Sequence, residues 1–451
     1  MLSRRRFLVT SALAAGAGAV PSTGLAAEKT RRAATEDLRD WGAVRRQFDL
    51  DPRYIHTGLF FLSSHPRPVR EAIERYRQQL EANPLHTVEH LVFTGPPDYM
   101  PAKVCNAIAA YIGGSADDIA LTQNTTTGLA LIYQGLPLKP GDEILTTAHD
   151  HFVHHESIRL ASERSGANWR KVALFDSHDA LSADEMVERL RKAIRPETRV
   201  LGVTWVHSST GLKLPIRRIA DALAEVNRER PPERRVLLVV DGVHGLGAES
   251  PDVVAMGMDA FAAGTHKWMF GPRGTGFVWA RPELWSVMRP LMPSTSSAEL
   301  FFAWASGKPP AQPARATWFS PGGFQAFEHS WAVPEAFAFH QAIGPQRITE
   351  RIHALNAQAR EGLAKMTHVT LYTPRAPEIA GGMVCFDVKG MTQQQVVQRL
   401  FERNRILAST TPYAVSYARV SFGIQNTPDE VEKTLAAVRE LAGATASVSG
   451  G

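Results

Sequence analysis

Covalent cross-links are all but missing from this chain. Its 451 residues include two cysteines, Cys105 and Cys385, far apart in sequence, which excludes a secreted scaffold stapled by disulfides. Cys105 falls in an amphipathic helical stretch and Cys385 in the apolar run Gly382–Phe386, so both read as buried structural thiols. The Ala/Gly-rich run that follows the first arginines is too short and too poor in Leu and Ile for a stable membrane span. An excess of one charge is lacking too. The formal net charge is +5 and falls to +2 without Arg4, Arg5 and Arg6, because residues 1–27 hold no acid. Lysine and arginine are interspersed with acids elsewhere, which leaves no nucleic-acid footprint. With 44% hydrophobic and 21% charged residues, the composition is that of a globular protein with room for more than one domain.

The N-terminus reads Ser3-Arg4-Arg5-Arg6-Phe7-Leu8, then an Ala/Gly-rich run to Val20, then Pro21 and small residues to Ala27. It is similar to a twin-arginine export signal, with a cleavage region near Leu25-Ala26-Ala27. The expectation is a periplasmic protein, with the twin-arginine translocase as its partner during export and no membrane attachment after cleavage. A basic, unstructured N-terminus is the competing reading.

Downstream, apolar periodicity predicts helices over Pro68–Glu81 and Pro101–Ile112, a strand at Ile119–Thr122, and a helix at Leu129–Gly135. Strands and helices then alternate: Glu143–Thr146, Ala161–Gly166, Lys171–Leu174, Ser182–Ile194, Val200–Trp205, Ile216–Glu229 and Val236–Val240. Such alternation implies a mostly parallel sheet with helices on both faces, and ligands beyond the carboxyl ends of its strands. After Ser320–Gly323 the pattern shifts to helices at Phe327–Ile343 and Ile348–Met366, strands near Thr370–Tyr372 and Met383–Val388, and a helix at Pro428–Leu441. The division expected is 1–27 signal, 28–60 N-terminal segment, 61–322 large domain, 323–441 small α+β domain, and 442–451 frayed tail.

The chemistry is carried by Asp241 and Lys267. Asp241 ends the apolar run Val236–Val240, and Lys267 precedes the turn Gly271-Pro272-Arg273-Gly274-Thr275-Gly276. An Asp closing a buried strand and a Lys one strand and turn later suit a pyridoxal phosphate (PLP) site. The amine can hold PLP as a Schiff base, and the carboxylate can keep the pyridine nitrogen protonated. The loop Asn124-Thr125-Thr126 between a strand and a helix offers an anion seat for the phosphate, although Asn-Thr-Thr is also an ordinary helix cap. His266 is placed to reach that phosphate. His244, three residues after Asp241, can approach the phenolic oxygen of the ring, or can be a strand-end histidine bonded to backbone. Ser208 can donate to the same oxygen or be a turn residue. Among His149, His151, His154 and His155, the best use for one imidazole is stacking on the ring, assigned to His151. A metal site there lacks a convincing third ligand. The glycines after Lys267 lead into the strand Phe277-Val278-Trp279, not a helix, which removes a dinucleotide-loop reading. Arg419, inside an apolar strand-like segment, needs a partner; a substrate carboxylate would provide bidentate bonds, and an internal salt bridge is the alternative.

Taken together, Asn124-Thr125-Thr126, His151, Asp241-x-x-His244, His266-Lys267 and Arg419…Asn426-Thr427 resemble the class V aminotransferase family of fold-type I PLP enzymes. That family includes cysteine desulfurases and isopenicillin N epimerase-like proteins, and the resemblance runs from about residue 50 to 440. It implies Lys267 as the Schiff-base lysine, Asp241 opposite the pyridine nitrogen, His151 on the ring and Arg419 on the substrate carboxylate. It also implies a large domain with a seven-stranded sheet and a homodimer in which a partner loop, here Ser320–Gly323, contributes to the phosphate site. One departure is plain: Ala408–Tyr413 lacks the mobile cysteine of the desulfurases. The export signal joined to this fold is similar to periplasmic enzymes that tailor siderophore peptides such as pyoverdine. The expected activity is transaminase-type chemistry on an amino acid, or on an amino-acid side group of a periplasmic peptide. An epimerase or lyase on the same fold, or a non-catalytic binding protein, are the alternatives.

Overall fold

The computed structural model describes residues 37–446, apart from 94–96, 179–180 and 311–312. The expected signal at residues 1–27 and the last five residues lie outside the described residues. Two short strands open the fold: β1 (Ile55–His56) lies parallel to β11 (Ile406–Leu407) and ties the two ends of the chain together. The expected seven-stranded sheet follows, built from β2 (Ile119–Thr122), β3 (Glu143–Thr147), β4 (Asn168–Val172), β5 (Thr198–Thr204), β6 (Leu237–Asp241), β7 (Ala260–Gly264) and β8 (Gly276–Ala280). Their order is β2-β8-β7-β6-β5-β3-β4, and β8 alone runs against its neighbours. The carboxyl ends of β2, β3, β5, β6 and β7 therefore share one edge of the sheet.

The central strands are continuous apolar runs because both faces are covered. Successive residues alternate between two cores: Leu201, Val240 and Phe261 pack in one, and Val200, Val239 and Ala262 in the other, as the two-residue period of a strand requires. The helix Ile216–Arg228 shows the complementary period, burying Ile216, Ile219, Ala220 and Leu223 along one stripe. A second sheet, order β12-β13-β10-β9, joins β9 (Val369–Leu371), β10 (Val384–Val388), β12 (Ser409–Thr410) and β13 (Ala418–Val420), all antiparallel. Its core holds Leu355, Phe386, Leu400, Val420 and Leu435. The chain is thus α/β, with a mostly parallel large sheet and a smaller C-terminal α+β part.

Several boundaries differ from expectation. The segment expected at Ala161–Gly166 is only the end of a longer helix, Phe152–Ser165. β4 lies at Asn168–Val172, not Lys171–Leu174, because an edge strand carries exposed and charged residues that no apolar run marks. The helix expected over Phe327–Ile343 is broken at Ala332, with Pro334 restarting it. The final helix runs on to Ala446, past the expected frayed start of the tail. Both cysteines are free; Cys385 is buried, whereas Cys105 is only partly covered.

Candidate active site

Every candidate cofactor-binding or catalytic residue sits on a segment that leaves the carboxyl edge of the large sheet, whereas Arg419 comes from the second sheet. Asp241 is the last residue of β6, in register with Thr204 of β5 and Ala262 of β7. It is 4% exposed, and Oδ1 accepts from Val243 N at 3.1 Å. Among the described residues no cation lies within ion-pair distance of it. Burial pushes its carboxyl up, against the pull of the Val243 N–H and the Lys267 charge. Asp241 is therefore a buried acid still wanting a cationic neighbour.

Lys267 follows β7 in a tight turn, closed by Gly271 N to Thr265 O at 2.9 Å and Phe270 N to Lys267 O at 3.0 Å. Phe270 pays for this turn with a left-handed backbone, φ 53°. Ser63 clamps the turn from outside, its N and Oγ donating to His266 O at 3.0 and 2.9 Å. Lys267 Nζ lies 2.9 Å from His244 Nε2. Burial lowers its pKa, Asp241 raises it and Arg419 lowers it further.

At the end of β2, the helix Thr125–Gly135 begins. Asn124 is its N-cap, Oδ1 accepting from Thr127 N at 2.9 Å, and the Thr125 hydroxyl accepts from Gly264 N at 2.8 Å. Both side chains are thus committed to the loop's shape, while Thr126 is exposed in the open first turn, where backbone N–H groups can take an anion. Only glycine fits at 264: a Cβ there would meet His266 Cε1 at 2.7 Å and lie 3.4 Å from Thr125 Oγ1. His266 therefore packs beside the Thr125 turn, and burial, then Lys267, push its imidazole down to about 4.

The histidine run resolves into four separate assignments. His149 Nε2 accepts from Leu174 N at 3.2 Å, and its ring stacks on Phe175 at 4.2 Å. His154 meets Tyr133 Oη at 2.7 Å, and His155 Nε2 donates to Thr147 O at 2.8 Å. His151 caps its own helix, Nδ1 accepting from Val153 N at 3.3 Å. Among the described residues no three His, Cys, Asp or Glu side chains converge on a metal position. Burial, then Lys267 and Arg419, hold the His151 imidazole down at about 4, so it is uncharged at neutral pH.

Arg419, on β13, is 3% exposed. Nη1 donates to Ser208 O at 2.7 Å, Nε to Ser409 Oγ at 3.2 Å, and the guanidinium lies 4.4 Å over the Phe60 ring. No carboxylate among the described residues pairs with it, so the internal salt bridge is not formed. Ser208 Oγ bonds Tyr413 Oη at 2.8 Å, a partner not foreseen from sequence. The loop Ser320–Gly323 meets its own chain, Ser320 Oγ accepting from Leu121 N at 3.0 Å.

Four residues escaped sequence reasoning. Asp150, fully buried, accepts from Thr146 Oγ1, Thr147 N and Thr147 Oγ1 at 2.8 Å and from Thr204 N at 2.7 Å. It joins the ends of β3 and β5 and so fixes where His151 begins its helix. An acid three residues past a strand end was the available signal, masked by the histidines around it. Tyr413, Phe60 and Trp268 complete the surroundings. Phe60 touches the rings of His244 and Trp268 at 6.1 and 6.4 Å.

The residues present fit PLP: an unpaired buried acid, a partly buried amine of lowered pKa, a helix start for a phosphate, and an arginine without a carboxylate. Comparison with known proteins agrees. Isopenicillin N epimerase of Streptomyces clavuligerus is 28% identical over 423 residues, covering 90% of this chain and 99% of that protein. Probable cysteine desulfurase 2 of Mycobacterium leprae is 28% identical, covering 88% and 96%. Among solved structures, a lysine-to-alanine variant of C-DES with glycine covalently linked to the PLP cofactor aligns with a TM-score of 0.76 at 22% identity, covering 88% and 99%. The cysteine desulfurase of Thermococcus onnurineus NA1 aligns at 0.75 and 21%, covering 89% and 98%. A sequence model of the family described as Aminotransferase class-V matches residues 63–434, and the chain belongs to that PLP-dependent family.

Proposed function

We propose that this protein removes the α-proton of an amino acid, or of an amino-acid group on a peptide, in transaminase-type chemistry. The observation that carries the reading is the juxtaposition of buried Asp241, amine Lys267 and carboxylate-free Arg419. When bound, PLP supplies an electron sink for charge developing at the substrate's α-carbon. Asp241, opposite the ring nitrogen, would hold that nitrogen's proton by its negative charge. Lys267, its ammonium disfavoured by burial, is poised to take the α-proton and return it. Arg419 would grip the substrate carboxylate through its two Nη groups, orienting the α-carbon towards the amine. His151 stays uncharged and can lie flat on an aromatic ring, and the Thr125 turn with His266 would seat the phosphate.

A persulfide route finds no nucleophile here. Ala408–Tyr413 has no cysteine, and Cys385, opposite Arg419 in the β10–β13 register, has its thiol pushed up to about 12 by burial. Epimerisation is the second reading. It is favoured by the relatives named isopenicillin N epimerase and by the Tyr413 hydroxyl beside the Arg419 anchor, a second proton donor. Exposed Phe61, Phe152 and Val415 stand within two residues of Phe60, His151 and Tyr413, at 68%, 62% and 65% exposure, which suits a substrate larger than a free amino acid. With residues 1–27 read as a twin-arginine leader, the proposed compartment is the periplasm, and a siderophore-type peptide is a fitting substrate class.

Incubation with amino acids and peptides in heavy water tests this. Deuterium incorporation at the α-carbon is expected, with a 2-oxo product marking transamination and an inverted enantiomer marking epimerisation. No incorporation from any donor would overturn the reading. Replacing Arg5 and Arg6 by Lys should leave the protein in the cytoplasmic fraction; unchanged export would remove the leader assignment.

A further inference from the structure

The indole after the lysine is not explained by packing alone. Trp268 is 3% exposed, and its Nε1–H donates to His244 Nδ1 at 3.4 Å. An indole can only donate, so His244 Nδ1 carries no proton. A neutral imidazole then carries its proton on Nε2, the atom 2.9 Å from Lys267 Nζ. Two donors cannot face each other, so Lys267 meets this proton with a lone pair, as an uncharged amine.

We propose that Trp268 is a positioning residue: its N–H holds His244 in the tautomer that donates to Lys267, keeping that amine uncharged and nucleophilic. An ammonium at Lys267 would demand the opposite tautomer, setting a His244 Nδ1–H against the indole N–H. Burial favours the same state. His244 is held well below its ordinary value by burial, then by the Arg419 charge, so its imidazole stays neutral. Facing Lys267, Arg419 on β13 also disfavours an ammonium, while Asp241 at the end of β6 pulls the other way. Phe60 from the N-terminal segment closes the group, its ring stacked on Trp268 at an interplanar angle of 29°.

The inference rests on Lys267 being the amine that joins PLP, and its test separates the two ideas. Full-length protein freed of cofactor is mixed with PLP across a pH range, and the growth of visible absorbance gives the rate at which Lys267 reacts. In Trp268→Phe the midpoint of that profile should rise by about one pH unit, a roughly 10-fold slower reaction below it. Nitrogen NMR of histidine-labelled protein should show His244 protonated on Nε2 in the parent and on Nδ1 in the variant. A lowered Tm with unchanged midpoint and tautomer would reduce Trp268 to a packing residue and overturn the proposal. Should Trp268→Phe not fold, His244→Gln and His244→Leu decide. Glutamine can both accept from the indole and donate to the amine, so it should keep the parental midpoint, whereas leucine should raise it. Equal midpoints in these two would also overturn it. If the parent takes up no PLP, the cofactor reading fails, while the NMR tautomer still tests Trp268.

Discussion

Two aspartates lie at the same edge of the large sheet, both buried, and the protein treats them oppositely. Asp150 accepts four hydrogen bonds at 2.7–2.8 Å from Thr146, Thr147 and Thr204, and His207 Nε2 lies 3.5 Å away. Burial would raise its pKa, but His207, His154 and these donors hold it far below the carboxylate range. Asp241 accepts one bond, from Val243 N, and burial wins, raising it. The saturated acid fastens strands; the unsaturated one is kept ready for something that is not protein. Stability and function are thus assigned to different members of one residue type, about one strand apart.

The sharpest way to break this contrast is at the amine facing Asp241. Lys267→Ala should lower activity by roughly 10³-fold or more and yield colourless protein beside a yellow parent; equal colour would remove Lys267 from its role. The aspartates themselves come next. Asp150→Asn should lower stability by about 3 kcal/mol in a denaturant titration, since buried donors lose their acceptor. Asp241→Asn should leave stability unchanged or higher, by relieving an unpaired buried charge, while PLP dissociates more readily and activity falls. Matching stability losses in the two variants would erase the distinction. Arg419→Lys should raise KM roughly 10-fold with a smaller change in kcat, because an ammonium cannot reproduce a bidentate grip. Smallest is an acid effect on the fastening side. His154 is fully buried and held at about 4 by burial, whereas in the unfolded chain it titrates near 6.5. The unfolded state binds the proton first, so stability is whole above pH 6.5 and falls as pH drops towards 4, by about 2 kcal/mol at pH 5. A melting series from pH 7 to pH 5 should show this slope added to those of His151 and His266, and His154→Gln should make it shallower.

Much of this was legible from order along the chain. The strand Ile119–Thr122 lies where its apolar run placed it, and Asp241 and Lys267 stand at the ends of β6 and β7 because buried parallel strands announce themselves as apolar runs. Local chemistry also carried Asn124 to its cap. What stayed hidden depends on distant partners. Tyr413 and Ser208 are 205 positions apart, and no periodicity reports a pair of hydroxyls brought together by two sheets. Asp150 looked like one polar residue among histidines, since the donor that makes it a link between strands, Thr204 N on β5, lies 54 positions on. β4 was displaced because its half-buried Trp169 and Arg170 and exposed Lys171 follow edge rules, not core rules.

The pairing of Ile55–His56 with Ile406–Leu407 sets a timetable for biosynthesis. Phe60 can find its place under Arg419 only once residue 419 has left the ribosome, so the stretch around β1 waits for its strand partner until β11 has been made. Any nascent product truncated before β11 would bear Lys267 yet lack both that pairing and the arginine above Phe60, so catalytic competence requires synthesis at least through Arg419.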